Sequence, residues 1–269
     1  MKKLISLIVL LSIFNSCSEE TEIVNEVMLI KKLTETYTDP SSNVPNETVV
    51  VVNDFSYDGN KTISITETVE SVTSSYSIRK DFTYDGDLIS KILIEDSEYP
   101  DEFEEYIFTY DDYNNIVLVE EKDWSTNVIT YDGNKALIKV ELEEGVFAVP
   151  ECYETIFENN NILTQKTNND EMGLLLGGDP CDFNETTYTT YDSRTNPFSN
   201  ITGVNWYISE FMILTNSMYP ATTNNPVSMK STSGVELTFS YSFNENDYPQ
   251  NISVYHSFYN IDFSIDIEY

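Results

Sequence analysis

Four times between residues 55 and 134 the chain repeats one phrase: an apolar residue, a small hydroxyl residue, tyrosine, aspartate and then a turn. The copies are Phe55–Asn60 (FSYDGN), Phe82–Asp87 (FTYDGD), Phe108–Tyr113 (FTYDDY) and Ile129–Asn134 (ITYDGN). Their tyrosines stand at 57, 84, 110 and 131. Such self-similarity constrains a fold more than composition does, because each copy must be the same small unit. Weaker copies follow at Thr155–Ile162, Thr189–Phe198 and Phe239–Ile252.

Each clear copy is a turn between two alternating segments. Tyr76, Ile78, Lys80, Phe82 and Tyr84 share one face before the second turn, with Ser77, Arg79, Asp81 and Thr83 between them. Ile63, Ile65 and Val69 follow the first turn, and Ala136, Ile138, Val140 and Leu142 follow the last. Period-two alternation marks a half-buried antiparallel strand. The turns read Asp58-Gly59-Asn60, Asp85-Gly86-Asp87 and Asp132-Gly133-Asn134. Gly and Asn accept the positive φ that tight hairpin turns demand. The third turn, Asp111–Asn115, is longer, with Asn114 as its expected left-handed residue.

Thr48–Tyr57, Val235–Phe243, Asn251–Phe258 and Ile261–Tyr269 alternate in the same way. The expected fold is therefore all-β: an antiparallel meander of hairpins forming a long twisted or curled sheet. At most one short helix is predicted, near Trp206–Leu214, where Trp206, Tyr207, Ile208, Phe211 and Met212 have helical spacing. Met172–Asp182 and Asn216–Thr232 read as the long loops. A sheet of this length must curl, close or be covered to bury a face.

The phrase resembles the YD repeat of Rhs-type proteins. More closely, the chain resembles a Bacteroidota lipoprotein family built of such hairpins. The resemblance rests on Asn196-Pro197-Phe198, the apolar Trp206–Leu214, Asn224-Asn225-Pro226 and the stretch from Tyr241 to Tyr248-Pro249, and covers nearly all of Leu29–Tyr269. It implies architecture and no activity, since fold analogy licenses no mechanism.

The first residues carry an address. Lys2 and Lys3 precede an apolar run, Leu4–Phe14. A helix needs about 20 apolar residues to cross a bilayer, so this run has the form of a signal peptide. Ser16-Cys17 resembles the lipobox of bacterial lipoproteins, which makes Cys17 the expected acylation site, although Phe14 and Asn15 depart from its commonest form. The expected organisation is a signal peptide at 1–16, an acylated cysteine with an acidic tether at 17–27, and one β domain at 28–269. Ser18-Glu19-Glu20 resembles a surface-export signal of Bacteroidota lipoproteins. The expected location is the outer membrane, with the cell surface preferred over the periplasmic face.

Formal charge is −32, and loss of residues 1–16 removes two lysines and no acid, which takes it to −34. Nucleic-acid binding rests on cations that neutralise phosphate, so this charge argues against such a partner. The 19 Tyr and 14 Phe supply ample material for a core. With Cys17 acylated, Cys152 and Cys181 remain as an even pair for an oxidising compartment, either bridged, which is preferred, or as buried thiols.

Catalytic signals are sparse. His256, in a strand with Ile252, Val254 and Phe258, is the chain's one histidine and reads as structural. No nucleophile elbow accompanies it. The glycines at 173, 177 and 178 lack the Lys-Ser/Thr of a phosphate loop. Leu174–Leu176 look exposed and are expected either to cap the sheet, which is preferred, or to offer a small apolar contact. Acids cluster at Asp101–Glu105 and Glu141–Glu144, for the most part as a solvated face. Asp111, Asp112 and Asn114 come nearest to a calcium loop and fall short of its pattern.

Two functions remain. One is an envelope-anchored lipoprotein with a non-catalytic binding or structural role, its partner a glycan or an envelope protein. The other is a carboxylate-dependent glycoside hydrolase, or another envelope hydrolase.

Overall fold

The computed structural model describes residues 27–39, 44, 47–144, 146, 151–168, 170, 174, 177–210, 213–215 and 219–269, with backbone only at 209 and 210. The expected leader, Cys17 and most of the tether lie outside these residues.

The hairpins follow the repeat. The first strand, β1 (Lys32–Thr38), leads to the pair β2 (Thr48–Asp58) and β3 (Lys61–Glu70). Next come β4 (Ser75–Asp85) with β5 (Leu88–Asp96), and β6 (Phe103–Tyr110) with β7 (Ile116–Glu121). They are followed by β8 (Ser125–Asp132) with β9 (Lys135–Leu142), and β10 (Cys152–Glu158) with β11 (Asn161–Thr167). After β12 (Glu185–Thr195) a long connection leads to β13 (Asn224–Ser231), and β14 (Glu236–Phe243), β15 (Pro249–His256) and β16 (Ile261–Glu268) complete the wall. Gly86 takes φ 57° at the turn that the phrase places there, and Asn114 takes φ 64° as expected.

The sheet closes. β1 pairs with β16 from Lys32 opposite Glu268 to Tyr37 opposite Phe263, and every neighbouring pair is antiparallel. This corrects the expectation of a long twisted or curled sheet: the structure is a closed barrel of sixteen strands. Closure leaves neither end of the meander as an unpaired edge. A second correction concerns Asn216–Thr232, whose C-terminal part is strand β13.

Alternation now acquires an inside. Leu33, Phe55, Ile65, Phe82, Ile92 and Phe108 point inward and are at most 9% exposed. On β16 the outer positions are polar, as in Asp262, Asp266 and Glu268, whereas outer positions of β2, β5 and β6 include the aliphatic Val52, Leu93 and Ile107. Ion pairs cross this outer face, including Lys32–Asp54 at 3.8 Å, Lys91–Glu105 at 3.1 Å and Lys166–Glu154 at 2.7 Å. A bilayer-spanning barrel needs an outward apolar band roughly 25 Å tall. This outer face interleaves aliphatic residues with charged pairs such as Lys91–Glu105 and Lys166–Glu154.

Barrels of this strand number hold an aqueous lumen unless something fills it. Here the β12–β13 connection enters the barrel. Asn196 caps a 3-10 turn, Pro197–Asn200, by accepting from the Phe198 amide at 3.0 Å, and Phe198 is fully buried. Asn205 accepts from the amides of Tyr207 and Ile208 and so starts the short helix α1 (Trp206–Glu210). Helix α1 lies where helical spacing predicted it; Phe211 and Met212 lie outside the described residues. Trp206 stacks on Phe157 at 5.1 Å between ring centroids, while Tyr207, Ile208 and Leu214 are almost fully buried. The plug is thus the apolar stretch that the sequence places between two strand signals.

The phrase tyrosines ring the end of the barrel where the plug enters. Tyr57 donates to the Ile30 carbonyl at 2.8 Å, Tyr110 to Ile89 at 2.7 Å and Tyr131 to Ile116 at 2.9 Å. Tyr191 donates to Ile162 at 2.9 Å and Tyr269 to Pro249 at 2.7 Å, while Tyr84 reaches the plug at the Thr202 carbonyl. Each ring fills core space, and each hydroxyl satisfies a carbonyl at the start of a neighbouring strand or on the plug. Repetition of the phrase is therefore turn and rim chemistry. Both the Lys32 start of β1 and the Glu268 end of β16 lie at this turn rim. The connections 71–74, 97–102, 122–124 and 257–260 surround the opposite end, the mouth.

Candidate functional site

Between the plug and the mouth the inner face changes character. Glu35, Asn53, Glu67 and Lys80 occupy inward positions on the consecutive strands β1 to β4, and none is more than 4% exposed. Register places Asn53 directly opposite Glu67 across β2 and β3. Lys80 lies two positions along β4 from Ile78, which is the partner of Glu67. Burial pulls the Lys80 ammonium below the ordinary lysine range, and the charges of Glu67 and Glu104 act against that fall.

The polar arc continues on the next strands. Glu104 faces inward on β6 yet is exposed, so solvent reaches the lumen there. Tyr106, two residues on, donates to Glu104 Oε2 at 3.5 Å and stands opposite Glu121 of β7. Burial pushes the Glu121 carboxyl up, helped by the charge of Glu104 and opposed by hydrogen bonds from Tyr106 and Ser125. The Ser125 hydroxyl donates to Glu121 Oε2 at 3.3 Å. From the plug, Tyr207 enters the same environment: burial raises its phenol first, then the nearby Tyr106 and Glu121.

The arrangement sets the carboxyl groups of Glu35, Glu67, Glu104 and Glu121 along one arc with the Lys80 ammonium and with phenols on both sides. Among the described residues no group of three His, Cys, Asp or Glu is placed to hold a metal ion.

The residues singled out in sequence lie elsewhere. Cys152 and Cys181 are bonded, with Cα atoms 5.1 Å apart, and tie the β11–β12 connection to β10. Asp111, Asp112 and Asn114 sit in the β6–β7 turn at the turn rim. The Asp111 carboxylate accepts from the Tyr113 amide at 2.8 Å and from the Asn115 amide at 2.9 Å, and the Asn115 side chain holds its other oxygen. Those donors keep its carboxyl below the usual carboxylate range. His256 is buried at the mouth end of β15, and its Nδ1 accepts from the Tyr259 amide at 3.4 Å. Phe258, expected on the same face, is 71% exposed because the strand has already turned. Leu174 is buried, with 7% exposure; Leu175 and Leu176 lie outside the described residues.

Sequence reading missed Glu35, Asn53, Glu67, Tyr106 and Glu121. Their signal was present: each stands in an inward register, as Asn53 does between Val51 and Phe55.

No family model matches the sequence, and no curated protein matches it. Among solved structures, the chain is similar to a porin-like protein from Bacteroides uniformis at 8% identity and TM-score 0.42, covering 89% of this chain and 96% of that one. It is similar also to a porin-like protein from Bacteroides vulgatus at 12% identity and TM-score 0.42, covering 90% and 98% respectively. At these values the likeness carries nothing about the function of this chain.

Proposed function

We propose that the chain is an outer-membrane lipoprotein, held by acylated Cys17, whose barrel stands in water at the cell surface and binds a ligand in its lumen without catalysis. The observation that carries this reading is the partition of the lumen. One end is packed shut by Phe198, Trp206 and Tyr207, while the other keeps the inward Glu104 in contact with solvent. Polar groups converging inside a concave, partly apolar enclosure are the ordinary make-up of a ligand site. The turn rim carries the start of β1, so a lipid at Cys17 would leave the mouth free to point away from the membrane.

The test is thermal melting of the purified protein with polysaccharide, protein and small-molecule fractions of the envelope and its surroundings. Stabilisation by one fraction, lost in Glu104→Gln, supports the reading, and no response to any fraction sinks it. Cys17→Ser should move the protein out of the membrane fraction.

The second reading, a carboxylate-dependent hydrolase, is favoured by one observation. Glu121 is pushed toward its protonated form beside Glu104, and pairs of carboxyls in unlike environments divide acid and base roles. Release of reducing ends from a polysaccharide, abolished by Glu121→Gln, would establish it.

A further inference from the structure

A cavity of about 380 Å3 opens on the outer wall at the seam where β1 meets β16. Thr36, Thr38, Thr48, Ser253, Asp262 and Ser264 line it. These positions alternate with inward ones, among them Tyr37 and Phe263, whose rings pack at 5.2 Å between centroids. Thr38, Thr48, Ser253 and Asp262 are exposed, so a solute reaches the cavity directly.

Register explains the hollow. Ser264 stands opposite Ser253 on one side and Thr36 on the other, and Thr38 stands opposite Thr48. Small side chains in adjacent outward positions leave the sheet surface low there. Tyr255, opposite Asp262, rises beside them with 39% exposure. Its hydroxyl donates to Asn260 Oδ1 at 3.1 Å, which holds the ring in place. One row nearer the turn rim, Asn251 donates to Asp266 at 2.8 Å, so that pair is closed on itself. In the cavity, among the described residues, no protein group bonds the five hydroxyls and no cation pairs with Asp262.

Small-molecule sites occupy roughly 300–1,000 Å3, and this cavity falls within that range. Each hydroxyl donates and accepts, and the carboxylate accepts. Outward residues repeat roughly 5 Å across the strands and 7 Å along them. Such a grid suits a ligand that carries hydroxyls around its edge. No lysine or arginine lines the cavity, so an anionic ligand would meet Asp262 without a counter-charge. A peptide would lack its usual footholds, which are a free strand edge and apolar anchor pockets. The closed barrel offers no edge at the seam, and no Leu, Ile, Val or Met lines the cavity.

We propose that this cavity binds one sugar unit of a neutral oligosaccharide. Ser253, Ser264, Thr36 and Asp262 bond its hydroxyls, and its apolar face lies against the Tyr255 ring, whose own face is apolar. The site is on the outer wall, outside the lumen, and does not depend on the binding reading above.

The experiment is calorimetric titration of the purified protein with maltohexaose, cellohexaose, mannohexaose and, as the anionic control, a hyaluronan hexamer. At least one neutral hexamer should bind, and hyaluronan should not. Ser264→Leu fills the hollow on a face that already carries Val50 and Val52, so it should weaken binding at least tenfold with an unchanged melting temperature. Tyr255→Ala removes the ring and should weaken binding severalfold, which keeps the proposal testable should Ser264→Leu misfold. Thr109→Leu makes a like change on the outer face of β6, away from the seam, and should leave the affinity unchanged. No binding of any neutral hexamer overturns the proposal, as does hyaluronan bound as tightly as they are. Unchanged affinity in folded Ser264→Leu or in Tyr255→Ala overturns it too, and so does an equal loss in Thr109→Leu.

Discussion

The phenol of Tyr110, at the end of β6, donates to the carbonyl oxygen of Ile89, at the start of β5, at 2.7 Å. Tyr131 makes the same bond to Ile116, and Tyr191 to Ile162. On β10 the corresponding place is held by Phe157, which has no hydroxyl and packs on Trp206. Packing of the ring therefore suffices to fill the position, and the hydroxyl adds a separate contribution. Tyr110→Phe should lower stability by about 1 kcal/mol, the ordinary net worth of one such bond. In a domain of this size that is a fall of about 2–4 °C in melting temperature. An unchanged Tm would show that the rim carbonyls gain nothing from the phenols.

The same tyrosines set the alkaline limit of the fold. Burial pushes the phenols of Tyr84 and Tyr131 up to about 12, from the 10.0 of an ordinary tyrosine. A group that keeps its proton in the folded state and loses it in the unfolded one favours unfolding as pH rises. The stabilisation is whole below pH 10.0 and is lost as pH climbs toward about 12. Denaturant midpoints should stay flat to the lower bound and then fall, while phenolate absorbance of the native protein lags that of the unfolded chain. Superimposed titration curves for the two states would refute this.

How much of this was legible from the letters depends on which contact decides each feature. The hairpins were, because Tyr-Asp-Gly-Asn between alternating segments is local chemistry that the turn obeys on its own. Closure was not. It is decided by Leu33 meeting Ile267 across the two ends of the chain, and each of those strands alternates like any other. Strand β13 was hidden because Asn224-Asn225-Pro226 reads as a loop, yet the segment pairs with β12 through a register shift at Tyr191 that accommodates the proline. The lumen polar residues sit between these cases. Lys80 reads in sequence on the same face as Phe82, but a buried lysine becomes credible only once Glu67 and Glu104 are seen to share its enclosure.

Lys80 tests that enclosure. Lys80 is 2% exposed and its ammonium lies near the Glu67 and Glu104 carboxylates, so removing it leaves buried negative charge uncompensated. Breaking such a group on one side costs about 3–5 kcal/mol. Lys80→Met should therefore destabilise strongly, and Lys80→Met with Glu67→Gln should recover part of the loss, since one uncompensated charge is gone. Chemical denaturation of the two singles and the double measures the coupling. Additive effects would mean that Glu67 and Lys80 do not share an environment.

The disulfide acts at the mouth. Cys152 and Cys181 are 29 residues apart, and in the chain-entropy account a loop of that length contributes about 3.5 kcal/mol. Cys152→Ser with Cys181→Ser should lower the melting temperature by roughly 10 °C, on a scale of about 2–4 °C per kcal/mol. Stability that does not respond to reductant would contradict the assignment.

Gly203 tests the seat of the plug. It takes φ +85°, and a Cβ there would come within 2.9 Å of Ile89 Cγ1 and 3.0 Å of both the Asp87 carbonyl oxygen and Tyr84 Cε1. Gly59 also takes a positive φ, +60°, but a Cβ there meets nothing within 4 Å. The two positions thus separate backbone strain from crowding. Gly59→Ala should cost about 1 kcal/mol, the left-handed penalty for a residue with a Cβ. Gly203→Ala adds overpacking, typically about 1–3 kcal/mol, and the crowded atoms belong to the β4–β5 turn and the Tyr84 rim contact. The plug can relieve the clash only by withdrawing from that turn, which would weaken the Tyr84 bond to the Thr202 carbonyl. Gly203→Ala should therefore lower the melting temperature more than Gly59→Ala and raise amide exchange across residues 197–210, while Gly59→Ala leaves exchange in the plug unchanged. Equal losses for the two alanines would show that the plug is not seated on the β4–β5 turn in solution.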